Sequence, residues 1–298
     1  MAIPESQLET WSHQGSISQS STTYASVKHA LEAPDTKYAN KTFEVFLQGS
    51  YGNDTNIYAE SDVDVVIRLN STFHFDTTAM TPTEADAFQK AYPGAAEYKY
   101  NDFKAHVLAA LENAFGMTDV KATNKAIKIK ANGNRRSADV VVATEFHRYY
   151  SFPSKETARY ETGICFFTSG GTRIANYPKQ HSANCTAKHQ ATNGWYKPMV
   201  RILKNLRSKL VEDNAIAARC APSYFIEGLL YNVPKELFGN NYGDTFVAAM
   251  NWIVKADHSK FLCANEQYYL ARDSVAECWP CADCEGFIKA AAESWRKW

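Results

Sequence analysis

The sequence predicts a mixed α/β fold of the α+β kind, in which a domain with a mixed sheet is followed by a helical domain. Up to about residue 178, short segments rich in β-branched and aromatic residues alternate with helical segments. Beyond residue 178, apolar residues recur at helical spacing instead. We therefore expect a core domain over residues 1–178, which includes an amino-terminal helix, and a helical domain over residues 179–298.

The composition is that of a packed globular protein without a general affinity for polyanions. Hydrophobic residues make up 45% of the 298 residues and charged residues 21%, which excludes a disordered chain. The 32 Lys and Arg residues balance the 32 Asp and Glu residues, so the net charge is zero and binding to long nucleic acid is not expected. We find neither a targeting segment nor a run of about 18 apolar residues, and we expect a cytoplasmic protein with no membrane partner.

Short-range patterns predict the elements of the first domain. Helices are predicted over residues 17–33 and 102–115. Strands are predicted at 43–47, 62–69, 125–130 and 138–143. Two hairpins are expected, one with the turn Asn132-Gly133-Asn134 and one within residues 163–175.

The second domain is predicted to be a series of helices. Over residues 196–211, apolar and basic residues alternate at helical spacing, which predicts an amphipathic helix. Further helices are predicted at 223–231, 245–256 and 287–298.

Two closely spaced carboxylates begin the second predicted strand. Side chains on a strand alternate between faces, so Asp62 and Asp64 project on one side while Val63 and Val65 face the core. Like charges this close repel each other unless a cation lies between them, and carboxylate oxygens suit a pair of Mg²⁺ ions. The alternative is the polar face of an edge strand.

Gly49 and Ser50 follow the first predicted strand and offer groups that bind phosphate. Without a Cβ atom, Gly49 lets backbone N–H groups approach a triphosphate closely, and the Ser50 hydroxyl can donate to a phosphate oxygen. Gly-Ser alone is also a common turn. Its significance here comes from the carboxylate pair that follows it.

Gly-Ser, then about a dozen residues, then Asp-x-Asp at a strand start resembles the signature of the polymerase-β-like nucleotidyltransferases. That superfamily uses a third carboxylate on a later strand, and Asp139 is the matching candidate because it begins a β-branched strand. The resemblance implies that Asp62, Asp64 and Asp139 are catalytic and hold two Mg²⁺ ions, with Mn²⁺ as a substitute. For Asp139 the alternative is a solvated aspartate at a strand end.

The second half of the chain narrows this resemblance. Residues 176–204 and 221–234 are similar to the bacterial cGAS/DncV-like nucleotidyltransferases (CD-NTases). Within that family they most resemble the clade-E enzymes. The resemblance implies a synthase that joins NTPs (UTP, ATP, CTP or GTP) into a cyclic oligonucleotide, in the first place a cyclic dinucleotide that can contain a pyrimidine. It also implies an antiphage signal and a downstream effector that senses it. We expect a monomer.

Basic residues in the second half are candidates for contact with the triphosphate. Lys197, Arg201 and Lys204 recur on one face of the predicted helix and can meet phosphate oxygens as point charges or as a fork. Lys188 is a further candidate. The alternative for all of them is an ordinary solvated basic stripe.

Base recognition needs polar groups that face the base edge and a flat surface for stacking. Asn184 can offer both a donor and an acceptor to uracil, and the clade-E resemblance implies an Asn near this position in members that prefer uracil. The alternative is an Asn in a helix cap or turn. Tyr177, Tyr196 and Tyr231 are candidate stacking platforms.

A second basic cluster lies on the predicted hairpin beside Asp139. Its members are Lys121, Lys125, Lys128, Lys130, Arg135 and Arg136. Alternation places Lys128 and Lys130 on one face of the strand, opposite Ile127 and Ile129. We favour a solvated sheet face or a rim around the nucleotide cleft over a site for nucleic acid.

Cysteines near the carboxyl end have a spacing that zinc sites use. Cys278, Cys281 and Cys284 follow Cys263, and three cysteines at successive i, i+3 steps also fit one face of a helical turn. Pro280 opposes a regular helix there. We expect buried or partly exposed thiols in a reducing compartment, and no structural zinc ion.

Two alternatives to the cyclic oligonucleotide synthase stay open on the sequence. One is a template-independent nucleotidyltransferase that acts on a small molecule or an RNA 3′ end, and the other is an inactive nucleotide-binding module. The zero net charge argues against an RNA end, and the presence of all three carboxylates argues against an inactive module. The sequence leaves open the bases, the 2′-5′ or 3′-5′ linkage, the ring size and the trigger.

Overall fold

The computed structural model describes residues 2–15, 17–58, 62–133 and 135–298. Within these ranges the α-helices are α1 (Glu5–Ser12), α2 (Ser18–Leu31), α3 (Gly49–Gly52), α4 (Pro82–Ala91), α5 (Tyr100–Phe115), α6 (Pro178–Ala191), α7 (Tyr196–Glu212), α8 (Ser223–Tyr231), α9 (Tyr242–Lys255) and α10 (Cys281–Lys297). The strands are β1 (Phe43–Leu47), β2 (Val63–Asp76), β3 (Val120–Ala122), β4 (Ile127–Ile129), β5 (Ala138–Ser151), β6 (Arg159–Phe167) and β7 (Arg173–Asn176). Short 3-10 helices span Lys235–Leu237 and His258–Lys260.

The chain divides into two compact units. The sheet unit comprises Ser21–Leu47 and Asp62–Tyr177, and the helical unit comprises Met1–Ser20, Gln48–Ser61 and Pro178–Trp298. The chain thus crosses from sheet to helices at Tyr177 and Pro178, while residues 1–20 and 48–61 group with the helices. The functional division into a core domain and a helical domain that closes the nucleotide cleft stays a prediction.

The sheet is mixed, as the sequence predicted. Its order is β1-β2-β5-β4-β3, with β6 beside β5 and β7 beside β6. Strands β2 and β5 run parallel, and the other neighbours are antiparallel. Both predicted hairpins are present as β4·β5 and β6·β7, although Asn134 of the first turn lies outside the described residues.

The two central strands are longer than predicted. The sequence pattern stopped at Leu69, but β2 continues to Asp76 after an irregularity in the pairing between Leu69 and Phe73. Likewise β5 continues to Ser151 because β6 pairs with its second half. These strands form the centre of the sheet, and Val63, Val65 and Val140 are fully buried there.

Some helices differ from the prediction for identifiable reasons. Helix α4 was missed, although Thr81 and Glu84 form a capping box and Pro82 occupies the first turn. Helix α10 begins at Cys281 rather than at 287, because Pro280 caps it instead of interrupting it.

The core of the helical unit surrounds α7. Its predicted apolar stripe is buried, with Val200, Leu203, Leu206 and Leu210 in the core, while Arg201, Asn205 and Ser208 are half-buried. The helix is thus amphipathic, as the spacing predicts, although Lys197 and Lys204 on its basic side are buried as well. Each helix among the described residues is too short or too polar to span a lipid bilayer.

Candidate active site

Two of the three predicted catalytic carboxylates lie side by side in the sheet unit. Asp64 in β2 and Asp139 in β5 are directly paired in the parallel ladder. Neighbouring strands are roughly 4.8 Å apart, and paired residues of a parallel ladder point to the same face. The local pattern explains the placement, because the flanking Val63, Val65 and Val140 are buried while both aspartates are half-buried.

Asp62 precedes β2 and lies at the edge of this pair. Its carboxylate is 42% exposed, accepts a hydrogen bond from the Ser137 hydroxyl, and is 3.2 Å from Lys128 Nζ. Ser137 and Asp139 lie two positions apart in the chain. The three predicted ligands, Asp62, Asp64 and Asp139, thus lie at the start of two adjacent parallel strands, and we call this group the carboxylate site.

The electrostatics of the carboxylate site call for a cation. Burial raises the pKa of Asp139, the charge of Lys128 opposes this shift, and the charge of Asp62 adds to it. The hydrogen bond with Asp62 and its charge, followed by the charges of Asp139 and Asp64, raise the pKa of Lys128. The Lys128 ammonium therefore stands among the carboxylates as their counter-charge.

Lys128 was not recognised as a site residue from the sequence. The sequence pattern favours a solvated sheet face or a rim of the nucleotide cleft for it, and β4 places it directly opposite Asp139 in the antiparallel ladder. Its neighbours in the basic cluster have local partners: Lys130 donates to the Thr118 carbonyl, and Arg135 pairs with Asp119 at 3.2 Å. Strand alternation around the hairpin was the signal that could have singled out Lys128.

The residues present fit divalent cations. Three carboxylates offer hard oxygen ligands of the kind that Mg²⁺ prefers, and an ammonium already holds one of them. The carboxylate oxygens of the three aspartates do not all lie within 4.8 Å of one another among the described residues. Such a close grouping would suit a single closed cage around one ion. Mg²⁺ is commonly held by one or two carboxylates together with substrate phosphates rather than by such a cage.

Gly49 and Ser50 belong to a short helical turn in the helical unit, α3. Gly49 has φ +67°, a left-handed conformation that favours glycine. The Ser50 carbonyl accepts from the Thr55 N–H at 2.9 Å, and Asn53 N–H donates to the Gly49 carbonyl at 3.1 Å. The residues after the turn therefore close back on it and fix its shape.

The basic residues of α7 donate hydrogen bonds to the residues that follow this turn. Lys197 Nζ is 2.9 Å from Asp54 Oδ2, Arg201 donates to the Asp54 carbonyl at 2.7 Å, and Lys204 Nζ donates to the Thr55 carbonyl at 2.8 Å. Lys197 is 6% exposed and Lys204 is fully buried. The alternative of a solvated basic stripe is therefore wrong, because these cations pack against residues 48–58 of the same unit. Their direct contact with phosphate stays a prediction.

Lys188 and Asn184 lie on α6, in the helical unit. Lys188 Nζ donates to the Val233 carbonyl and lies 5.7 Å from the centre of the Tyr231 ring, and burial lowers its pKa. The Asn184 amide donates to the Ala264 carbonyl at 2.8 Å. Their roles in nucleotide binding stay predictions.

The tyrosine candidates for base stacking are reduced to one. Tyr177 and Tyr196 have no exposed surface, and a base cannot stack on a ring that is fully covered. Tyr231 is half-buried and its hydroxyl donates to Glu266 Oε1 at 2.5 Å. The first two candidates are therefore wrong.

The cysteines are all free thiols. Cys263 and Cys284 are buried, and burial raises the pKa of each to about 12, while Cys278 and Cys281 are half-buried. Among the described residues, one group of potential metal ligands has all of its ligand atoms within 4.8 Å of one another. The sequence does not reveal this group. It consists of His181, Cys185 and Glu227.

Comparisons with known proteins agree with this architecture. Residues 183–296 match the model of the cGAS/DncV-like nucleotidyltransferase C-terminal helical domain. The cyclic UMP-AMP synthase of Rhodothermus marinus is 40% identical over 299 residues, which cover 100% of this chain and 99% of that protein. The cyclic nucleotide synthase CdnE01 of Staphylococcus haemolyticus is 36% identical over 304 residues, which cover 100% of both chains.

A solved structure extends the agreement to the fold. The structure of Rhodothermus marinus CdnE c-UMP-AMP synthase with Apcpp and Upnpp matches with a TM-score of 0.89 at 39% identity, covering 99% of this chain and 97% of that one. The similarity thus covers both the sheet and the helices. The chain belongs to the cGAS/DncV-like nucleotidyltransferases, and it is a CdnE-like cyclic oligonucleotide synthase.

Proposed function

We propose that this protein joins one UTP and one ATP into a cyclic dinucleotide, with the carboxylate site as the place of nucleotidyl transfer. The observation that carries the proposal is the direct pairing of Asp64 with Asp139, with Asp62 beside them. The choice of bases is supported by the cyclic UMP-AMP synthase that is 40% identical over the full chain.

Asp62, Asp64 and Asp139 are the residues that would hold two Mg²⁺ ions. Bound there, the ions would acidify the acceptor hydroxyl and neutralise the departing pyrophosphate. Asp139 faces the acceptor ribose and takes the proton from its hydroxyl. The ribose oxygen forms a bond to the α-phosphorus of the other nucleotide, the bond to the β-phosphate oxygen breaks, and pyrophosphate leaves. A second transfer of the same kind closes the ring.

The phosphates and bases are assigned to residues of the helical unit. Gly49 presents backbone N–H groups and Ser50 its hydroxyl to the triphosphate, and the support for this is the left-handed conformation of Gly49 in a turn whose shape the following residues fix. Lys197 and Lys204 contribute positive charge to the same turn. Asn184 is assigned to the uracil edge and Lys188 to a second phosphate contact.

The family resemblance supports the cellular setting. We propose that the cyclic product is an antiphage signal made in the cytoplasm and sensed by a separate effector, and that the synthase is a monomer. Linkage, ring size and trigger are left to experiment.

The test is a reaction of the purified protein with all four NTPs and Mg²⁺ or Mn²⁺, with and without RNA, followed by mass spectrometry. A cyclic dinucleotide that contains uridine and adenosine, absent from the Asp62→Asn/Asp64→Asn variant, supports the proposal. Extension of RNA would favour a terminal transferase instead. Absence of pyrophosphate release under every condition would favour an inactive binding module.

Base choice has its own variant. If Asn184 reads uracil, Asn184→Ser changes which NTP is consumed when all four compete. An unchanged preference removes Asn184 from the site.

A further inference from the structure

A buried carboxylate in the helical unit binds the residues that follow Gly49 and Ser50. Glu227 lies on α8 and is 1% exposed. Its Oε2 accepts from Asn53 Nδ2 at 3.1 Å and contacts His181 Nε2 at 2.6 Å, and its Oε1 accepts from the Thr55 hydroxyl. Three donors thus converge on one carboxylate with no access to water.

The contacts continue from Glu227 to the turn itself. Thr55 is fully buried, its hydroxyl is held by Glu227, and its backbone N–H holds the Ser50 carbonyl at 2.9 Å. Asn53, whose side-chain amide donates to Glu227, donates its backbone N–H to the Gly49 carbonyl at 3.1 Å. Each residue of the Gly49-Ser50 pair is therefore one backbone hydrogen bond away from a residue that Glu227 fixes.

The charge of Glu227 is compensated inside the unit. Burial disfavours the charged forms of His181 and Glu227, yet the neighbouring Cys185 and the Glu227 carboxylate, which contacts His181 Nε2, raise the pKa of His181 to about 10. His181 and Lys204 hold the pKa of Glu227 below its usual value against the effect of burial. The Tyr224 ring stacks on His181 with centroids 4.5 Å apart. The carboxylate is thus kept ionised, as a strong acceptor for Thr55 and Asn53.

The same side chains could be read as a metal site, because ligand atoms of His181, Cys185 and Glu227 lie within 4.8 Å of one another. Both Glu227 oxygens, however, already accept hydrogen bonds, and His181 Nε2 is engaged with one of them. The three side chains offer one ligand fewer than the tetrahedral structural sites of Zn²⁺ use. The contacts favour a hydrogen-bonded ion pair.

We propose that Glu227 is a positioning residue for nucleotide binding: through Thr55 and Asn53 it sets the conformation in which Gly49 and Ser50 meet the triphosphate. This inference rests on the proposed function for its assignment of Gly49 and Ser50 to phosphate. We call Glu227, His181, Asn53, Thr55 and Lys204 the Glu227 network. Its members come from α6, α7, α8 and residues 53–55. The helices of this unit thus influence nucleotide affinity through Glu227, although Glu227 itself does not contact the nucleotide.

The test measures binding of a non-hydrolysable UTP or ATP analogue with Mg²⁺ by calorimetry, in the full-length protein. Thr55→Val removes the hydroxyl at constant shape, and Glu227→Gln removes the charge at constant shape. Each is expected to weaken binding roughly tenfold, the effect of a lost hydrogen bond to a charged group. Thr55→Ser keeps the hydroxyl and is expected to bind within about twofold of the wild type.

A double variant separates positioning from general damage. If Glu227 acts through Thr55, Thr55→Val/Glu227→Gln binds no more weakly than the worse single variant, whereas independent effects multiply. The NTP KM is expected to rise in parallel with the binding constant while kcat at saturation changes less than about twofold. Multiplying effects, or a lower kcat at unchanged KM, would overturn the positioning role. One equivalent of zinc in the wild type that is lost in Glu227→Gln would also overturn it.

The same measurements distinguish a failure of the positioning role from a failure of the proposed function. A wild type that makes the cyclic dinucleotide while Thr55→Val binds and reacts equally well removes only the positioning role. A wild type that binds the analogue but forms no cyclic product removes the proposed function, while the binding series still decides the role of Glu227.

Discussion

Carboxylates occupy two different settings in this protein, and their negative charge is offset in different ways. In the carboxylate site of the sheet unit, two aspartates are paired on adjacent strands, a third lies beside them, and one surface lysine offsets their charge. In the Glu227 network of the helical unit, a single buried carboxylate has two cations and two neutral donors. The carboxylates of the first site are exposed or half-buried and can meet ions from solvent, whereas Glu227 is buried and both of its oxygens accept hydrogen bonds inside the fold.

The comparison predicts opposite responses to loss of a carboxylate. Asp64→Asn or Asp139→Asn should reduce product formation at least about 10³-fold, because the ions supply several kcal/mol of transition-state stabilisation. The folded protein should be unharmed. Since burial raises the pKa of Asp139, its ionised form costs stability at neutral pH, and Asp139→Asn should melt at or above the wild-type temperature.

Product formation by mass spectrometry and thermal melting check this pair of effects. Asp86→Asn on the exposed surface of α4 is the matched control and should change neither. An Asp139→Asn variant that has lost activity only because it has unfolded would contradict the account.

Loss of Glu227, in contrast, should lower the stability of the folded protein. Glu227→Leu leaves His181 as a buried charge without its carboxylate, and breaking a buried pair in this way costs about 3–5 kcal/mol of unfolding free energy. Chemical denaturation measures this cost. Glu212→Leu at the exposed end of α7 is the matched control and should cost at most about 0.5 kcal/mol. Equal costs for the two variants would show that the buried charge is not needed.

The pH dependence of stability should report the same ion pair. The folded pKa of His181, about 10, lies above the ordinary value, so its contribution is complete below pH 6.5 and is lost as the pH rises through 10. The stability difference between the wild type and His181→Gln should therefore shrink from pH 7 to pH 10, by at most about 1.4 kcal/mol per pH unit. Denaturation at several pH values measures it, and a difference that stays constant or grows contradicts a charged His181.

The smallest expected effect concerns the lysine in the carboxylate site. Lys128 competes with Mg²⁺ for Asp62, so Lys128→Met should lower the half-saturating Mg²⁺ concentration by roughly two- to fivefold. Lys130→Met removes a lysine that bonds to the Thr118 carbonyl and should leave this concentration unchanged. A higher Mg²⁺ requirement in Lys128→Met would mean that the ammonium supports substrate binding instead.

The difference between the two regions also explains what the sequence could reveal. The carboxylates were found because their signals are local: strand alternation places Asp62 and Asp64 together, and a β-branched strand follows Asp139. The fold class followed from the same periodicities. Helix α4 could also have been predicted from the sequence, since Thr81 and Glu84 have the spacing of a capping box.

The Glu227 network could not be found in this way. Thr55 and Glu227 are 172 positions apart, and no short pattern links them. Helical spacing predicts which side chains of α7 share a face, but not that residues 48–58 cover the basic face and bury Lys204. Likewise, β2 continues past Leu69 because β5 remains available for pairing, a property of the sheet and not of the polar residues that follow.

The carboxylate site is expected to perform metal-dependent nucleotidyl transfer while the rest of the fold supports it. The most direct measurement is a Mg²⁺ titration of product formation from UTP and ATP in the wild type, Asp64→Asn and Asp139→Asn, with folding checked by circular dichroism. We expect Mg²⁺-dependent formation of a cyclic uridine- and adenosine-containing dinucleotide in the wild type and none in the two folded variants. Product formation at the wild-type rate in either variant would contradict the claim.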